Sequence, residues 1–219
     1  THNNPKRKRH ILNEFSGYEL FEVNPPGDID SREKSFAAGY CRLLDLATQR
    51  QSTLRAFQPF AILEDDVKKY KKFPDTIEIP QNADILYIGL SSCGMNSEQW
   101  CNDVRYKNIN KDIIRVYNML ATHGMIICSL RGLLCLQKCM LEAYFKNVIG
   151  DIFLAQMQPY LNAYALKTPL VYQYREIGGS EKGTKIKHTR SDDNLIPDSW
   201  INITNISIKT NHTSIDKLR

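Results

Sequence analysis

The chain has 219 residues, 42% of them hydrophobic, and 29 Lys and Arg against 24 Asp and Glu give a formal charge of +5. That length buries a sizeable core in one domain, and no stretch is poor enough in apolar residues to read as a disordered tail. The positive balance favours an anionic partner without naming it, because nucleic acid, a sugar nucleotide and an acidic membrane all respond to such a field. From the N-terminus, Pro5 opens a predicted short helix to about Phe15, stopped by Gly17. A strand over residues 18–23 and a loop at Pro25-Pro26-Gly27 follow. Residues 31–53 predict a long helix, since Phe36, Tyr40, Leu43, Leu44 and Ala47 recur at three-to-four spacing behind a capping Ser31. Short strands are expected at 60–63, 77–79 and 85–90, then a strand at 125–128 leading into a helix at 130–145. A further helix starts after Gly150 and runs through Gln156, ahead of a strand over 163–172. Alternating strands and helices predict an α/β sandwich with a largely parallel sheet.

Six cysteines (Cys41, Cys93, Cys101, Cys128, Cys135 and Cys139) lie mostly in apolar runs without paired metal spacing, and read as buried thiols of a reducing compartment. Sequons at Asn202, Asn205 and Asn211 point the other way, toward a secretory lumen. No apolar run approaches the ~20 residues that cross a bilayer, and the N-terminus is too polar for a signal peptide, so the expectation is a cytoplasmic chain with no membrane span. Basic clusters at 6–9, 68–72 and 182–190 read as solvated faces, and no aromatic-and-basic stripe typical of single-strand binders runs through the chain.

The stretch Ala61-Ile62-Leu63-Glu64-Asp65-Asp66-Val67 sets three acids at the mouth of a predicted strand. Ligands of open α/β sheets bind outside the carboxyl ends of strands, and adjacent carboxylates there repel unless a cation or a basic neighbour relieves them. A divalent ion with a few protein oxygens fits so short a cluster, and an ordinary acidic turn before the lysine-rich 68–72 segment is the other reading. If the strand continued through the acids, Glu64 and Asp66 would share one face and Asp65 would point away.

An apolar strand ending in Leu63-Glu64-Asp65-Asp66 resembles the signature of family 25 type glycosyltransferases, the lipopolysaccharide and collagen sugar transferases. Similar segments follow the family's order: Gly39-Tyr40-Cys41, then residues 121–127, Gly150-Asp151-Ile152-Phe153-Leu154, and residues 164–171. The family's Ser-His pair is replaced here by Leu44-Asp45, and the chain is similar in its compactness to glycosyltransferase domains of large DNA viruses such as chloroviruses. The resemblance implies a single GT-A (Rossmann-like) α/β/α sandwich over 1–219, with 190–219 as a C-terminal extension. It implies a hexosyltransferase that moves a sugar from a nucleotide sugar, by family habit a uridine diphosphate sugar, to a glycan or glycoprotein.

By the same resemblance Asp66, Glu64 and His188 would hold Mn²⁺ or Mg²⁺. Glu64, Asp65 and Lys187 would contact the donor, and Thr1, His2 and Asn3 would line the base-binding loop. Asp151 matches the family's acid and would take the acceptor hydroxyl's proton. An Asp at such a helix start is also a good cap, and the two roles are compatible. His123 is an acceptor-site candidate or a turn residue. Two other classes remain open: a nucleic-acid binder using Lys6-Arg7-Lys8-Arg9, and a metal-dependent nucleotidyltransferase or phosphohydrolase.

Overall fold

The structure is a computed structural model that describes residues 4–18, 20, 22–25, 29, 31–95, 103–177, 189–191 and 203–207. Helix α1 (Pro5–Glu14) begins where the Asn4 side chain accepts from the amides of Lys6 and Arg7, and the chain turns away at Gly17 with φ 94°. Helix α2 (Arg32–Ser52) starts on Ser31, whose hydroxyl accepts from the Lys34 amide, so the predicted cap forms without a Glu. Helix α3 (Leu130–Lys146) is capped in the same way by Ser129 and ends on Asn147 in the left-handed region, φ 54°. Helix α4 (Gly150–Met157) follows directly, its Gly150 pressed against Met140 of α3.

The strands are β1 (Phe60–Leu63), β2 (Val67–Lys69), β3 (Thr76–Pro80), β4 (Ile85–Tyr87), β5 (Val104–Asn108), β6 (Ile113–Val116), β7 (Gly124–Ile127), β8 (Ala163–Leu166), β9 (Val171–Gln173), β10 (Thr189–Ser191) and β11 (Ile203–Ser207). Seven of them form one sheet in the order β1-β7-β4-β8-β6-β5-β10. Two-residue alternation sorts the central strands onto two cores. Ile85, Tyr87, Met125, Ile127, Ala163 and Ala165 face Tyr40 and Leu44 of α2, Leu133, Leu136 and Met140 of α3, and Leu154 of α4. Leu86, Ile126 and Tyr164 face Phe15, Val67, Ile77, Ile79 and Val171.

The mixed α/β class holds, but the sheet is mostly antiparallel. Within this sheet β4–β8 and β5–β10 pair parallel, while β1–β7, β7–β4, β8–β6 and β6–β5 pair antiparallel. Parallel neighbours need a long crossover, and α3 and α4 supply one only on the way to β8. Nor is the sandwich helical on both faces. Helices α2 to α4 cover one side, whereas the other is covered by the end of α1 and by two small sheets, β2–β9 and β3–β11. The predicted strand at 18–23 does not form at its described residues 18, 20, 22 and 23. The predicted strand at 163–172 breaks into β8 and β9 around Pro169, which has no N–H to give a ladder. Among the described residues no helix is long and apolar enough to cross a membrane, and the described cysteines are free thiols.

Candidate functional site

Strand β1 lies at one edge of the sheet, and its last residue, Leu63, pairs with Gly124 at the start of β7. The three acids follow in a turn rather than in a continuing strand. The Glu64 amide donates to the His123 carbonyl (3.1 Å), and the Val67 amide returns to the Glu64 carbonyl (3.4 Å). This geometry overturns the face alternation expected for the acids: once the chain turns, Asp65 and Asp66 reach the same cation.

That cation is Arg7. Its Nη1 lies 2.9 Å from Asp65 Oδ1 and its Nη2 lies 3.6 Å from Asp66 Oδ2, while its Nε donates to the Ile177 carbonyl (2.9 Å). The planar fork turns a separate nitrogen to each carboxylate. The remaining oxygens, Asp65 Oδ2 and Asp66 Oδ1, are buried without a hydrogen-bond partner. Asp66 is only 6% exposed, and burial raises its carboxyl above the usual range, opposed by the Arg7 charge and reinforced by Asp65. Arg32, the first residue of α2, also acts on Asp66 and lowers it.

Glu64 is held differently. Thr122 Oγ1 donates to its Oε1 (2.7 Å) and Gln173 Nε2 donates to its Oε2 (3.2 Å). Removal of its carboxyl from water, added to the Asp66 charge, pushes Glu64 up to about 8, with Thr122 acting in the opposite sense and Asp151 and Asp65 raising it further. Behind Thr122, the Tyr40 hydroxyl donates to the Thr122 carbonyl (2.9 Å). Burial and the Glu64 charge hold that phenol well above its ordinary range. The buried His123 ring sits where a Cβ on Gly89 would stand, 2.3 Å from its Nε2, so only a bare backbone fits there.

No protein family, curated protein or solved structure matches this chain. The site therefore has to be read from its own residues. Asp151 occupies the second position of α4, and the cap is Ile149, which makes no side-chain cap bond, so Asp151 is not the helix cap. Its helix packs on the helical face of the sheet, and its charge raises Glu64, Tyr40 and Tyr87. Thr1, His2, Asn3, Lys187 and His188 lie outside the described residues. Thr189 of β10, the residue after His188, pairs with Val104 of β5, at the opposite edge of the sheet from β1. Six interstrand spacings separate those edges, roughly 29 Å at ~4.8 Å each.

For a divalent cation, the unpartnered Asp65 Oδ2 and Asp66 Oδ1 are the hard oxygen donors such an ion takes. Among the described residues no group of three or more His, Cys, Asp or Glu gathers as a metal centre. Two carboxylate oxygens are therefore what this turn offers, and Mg²⁺ commonly takes one or two carboxylates together with substrate phosphates and water. Sequence reasoning missed Arg7, Arg32, Thr122 and Gln173. The run Lys6-Arg7-Lys8-Arg9 carried a signal, but as a charged face. In the fold Arg7 bridges the acids, Lys8 pairs with Glu22 (2.7 Å) and Lys6 donates to the Glu176 carbonyl (3.4 Å).

Proposed function

We propose that this chain is a glycosyltransferase of GT-A type that moves a sugar from a nucleoside diphosphate sugar, a uridine diphosphate sugar by resemblance, to a glycan or glycoprotein. The observation that carries the reading is the acid turn after β1, with two buried carboxylate oxygens unpartnered and Asp151 acting on the same cluster from the helical side. The ordered resemblance to family 25 type enzymes supports it, and the mostly antiparallel sheet is a departure the reading has to carry.

In this reading Asp65 and Asp66 hold Mn²⁺ or Mg²⁺, which would supply Lewis-acid neutralisation of the leaving diphosphate. Arg7 sets a positive charge against both carboxylates and opposes the effect of burial on Asp66. Exposed Arg32, close enough to act on Asp66, is placed to take phosphate oxygens. Glu64, held by Thr122 and Gln173, fixes the turn and faces the donor. Asp151 accepts the proton of the acceptor hydroxyl as that oxygen attacks the anomeric carbon.

Calorimetric titration of uridine diphosphate glucose, galactose and N-acetylglucosamine, with and without Mn²⁺, tests the reading. One of these donors is expected to bind only with the metal, and Asp66→Asn to weaken it at least about tenfold, as loss of a charged ligand contact does. The thermal midpoint of that variant should stay level or rise, because the buried carboxylate it removes is costly to ionise. Metal-independent binding, or unchanged affinity in Asp66→Asn, would remove the acid turn from the site. Hydrolysis of nucleoside triphosphates in place of sugar transfer would point to phosphoryl chemistry.

A further inference from the structure

The acid turn leads directly into β2, and β2 pairs antiparallel with β9 as a two-stranded ribbon (Val67↔Gln173, Lys68↔Tyr172, Lys69↔Val171). Alternation gives this ribbon two unlike faces. Val67 and Val171 are fully buried against the sheet, and Gln173 on that side donates to Glu64. The opposite face carries Lys68, Tyr70, Tyr172 and Tyr174. Their rings form a row: Tyr70 to Tyr172 at 6.3 Å between centroids, Tyr172 to Tyr174 at 6.4 Å, and Tyr174 to His10 of α1 at 5.8 Å. Tyr70 is 49% exposed, and Tyr172 and Tyr174 are half-buried.

We propose that this row of rings, rooted at the acid turn, binds the neutral oligosaccharide part of the acceptor; the proposal rests on the glycosyltransferase reading above. Continuity with the acids is the first argument. The Tyr174 amide donates to the Asp66 carbonyl (2.7 Å), so a chain lying on the rings has its end beside the cluster that would hold the donor. Ring chemistry is the second. A tyrosine offers an apolar face to the C–H face of a sugar and a hydroxyl to its edge, at little entropy cost.

A strand of nucleic acid is the competing occupant, drawn by the lysines of the 68–72 cluster, and the geometry of the rings disfavours it. Consecutive bases need ring faces open in parallel, whereas the Tyr70–Tyr172 and Tyr172–Tyr174 pairs stand at 89° and 82°, and Lys68 already covers Tyr174 at 4.5 Å.

The test is a printed array of neutral and acidic oligosaccharides, together with an immobilised single-stranded thymidine oligonucleotide, probed with labelled full chain. Capture on a set of neutral oligosaccharides is expected, falling at least about tenfold in Tyr172→Ala and in Tyr70→Ser, and surviving in Tyr172→Phe, which keeps the ring. Tyr70 lies beyond the end of β2, so its variant guards against a Tyr172→Ala chain that fails to fold. No glycan capture, capture indifferent to both variants, or capture of the oligonucleotide instead would overturn the proposal. Donor titration on the same variants separates the two readings. Metal-dependent donor binding without ring-dependent glycan capture sinks this inference alone, and absence of donor binding sinks the glycosyltransferase reading itself.

Discussion

Asp151 shows how position within a helix changes what a side chain can be asked to do. At the second residue of α4 it is favoured by the helix dipole, yet the cap is Ile149. Asp151→Asn loses no cap bond and is therefore expected to fold, with its thermal midpoint lowered by the loss of the acid's charge at the helix start. If Asp151 accepts the acceptor's proton, turnover in a sugar-transfer assay should fall by roughly two to four orders of magnitude. Wild-type turnover in that variant would leave Asp151 a structural acid only. Asp151 was legible because it stands in a motif-like segment, and Glu64, Asp65 and Asp66 because they are adjacent in the chain. Arg7 was not, because the contact that gives it meaning spans 58 residues and nothing local distinguishes it from Lys6, Lys8 and Arg9.

Elements were legible in proportion to their length and to the clarity of their ends. Helices α2 and α3 form within two residues of their expected bounds, because each has a serine cap and several turns of periodic apolar residues. Strands β5 and β6 went unread: β5 buries only Val104, and the hairpin is set by Asn110, whose Oδ1 accepts from the amides of Asp112 (2.8 Å) and Ile113 (2.7 Å). Packing between elements left no sequence signal at all. Gly132 in the first turn of α3 lies against β4's leading edge, where an added Cβ would stand 2.3 Å from the Asp84 carbonyl oxygen. That oxygen also accepts from the Cys128 amide (2.9 Å), and the Asp84 carboxylate takes the Ser129 hydroxyl (2.6 Å), so the backbone there has little room to give. Alanine normally stabilises a helix relative to glycine. Here Gly132→Ala should instead cost about 1–3 kcal/mol in urea denaturation, as overpacking does, and a stabilised variant would show that α3 can slide away from β4.

For the whole molecule, the sheet direction was the largest misreading, and its cause is connection length rather than strand composition. Among the described residues no helix lies between β4 and β7, and the two strands are antiparallel neighbours. The same topology leaves α1 outside the helical layer, with its end against the other face of the sheet. None of its residues is buried, whereas α3 buries six, among them Leu133, Leu136 and Met140. What ties α1 down is polar: the Arg7 fork on the acids, and His10 Nε2 with the Val67 carbonyl at 2.8 Å. Segments fixed by few apolar contacts open below the global unfolding free energy. Native-state hydrogen exchange should therefore show α1 amides exchanging well ahead of those in β4, β7 and β8. Arg7→Met should lower the α1 opening free energy by about 1–3 kcal/mol, between the values for exposed and fully buried ion pairs, and leave β4 and β7 untouched. Equal protection of α1 and β4 in the unmodified chain would mean that α1 belongs to the cooperative core, and that its half-buried Ile11, not Arg7, is what holds it.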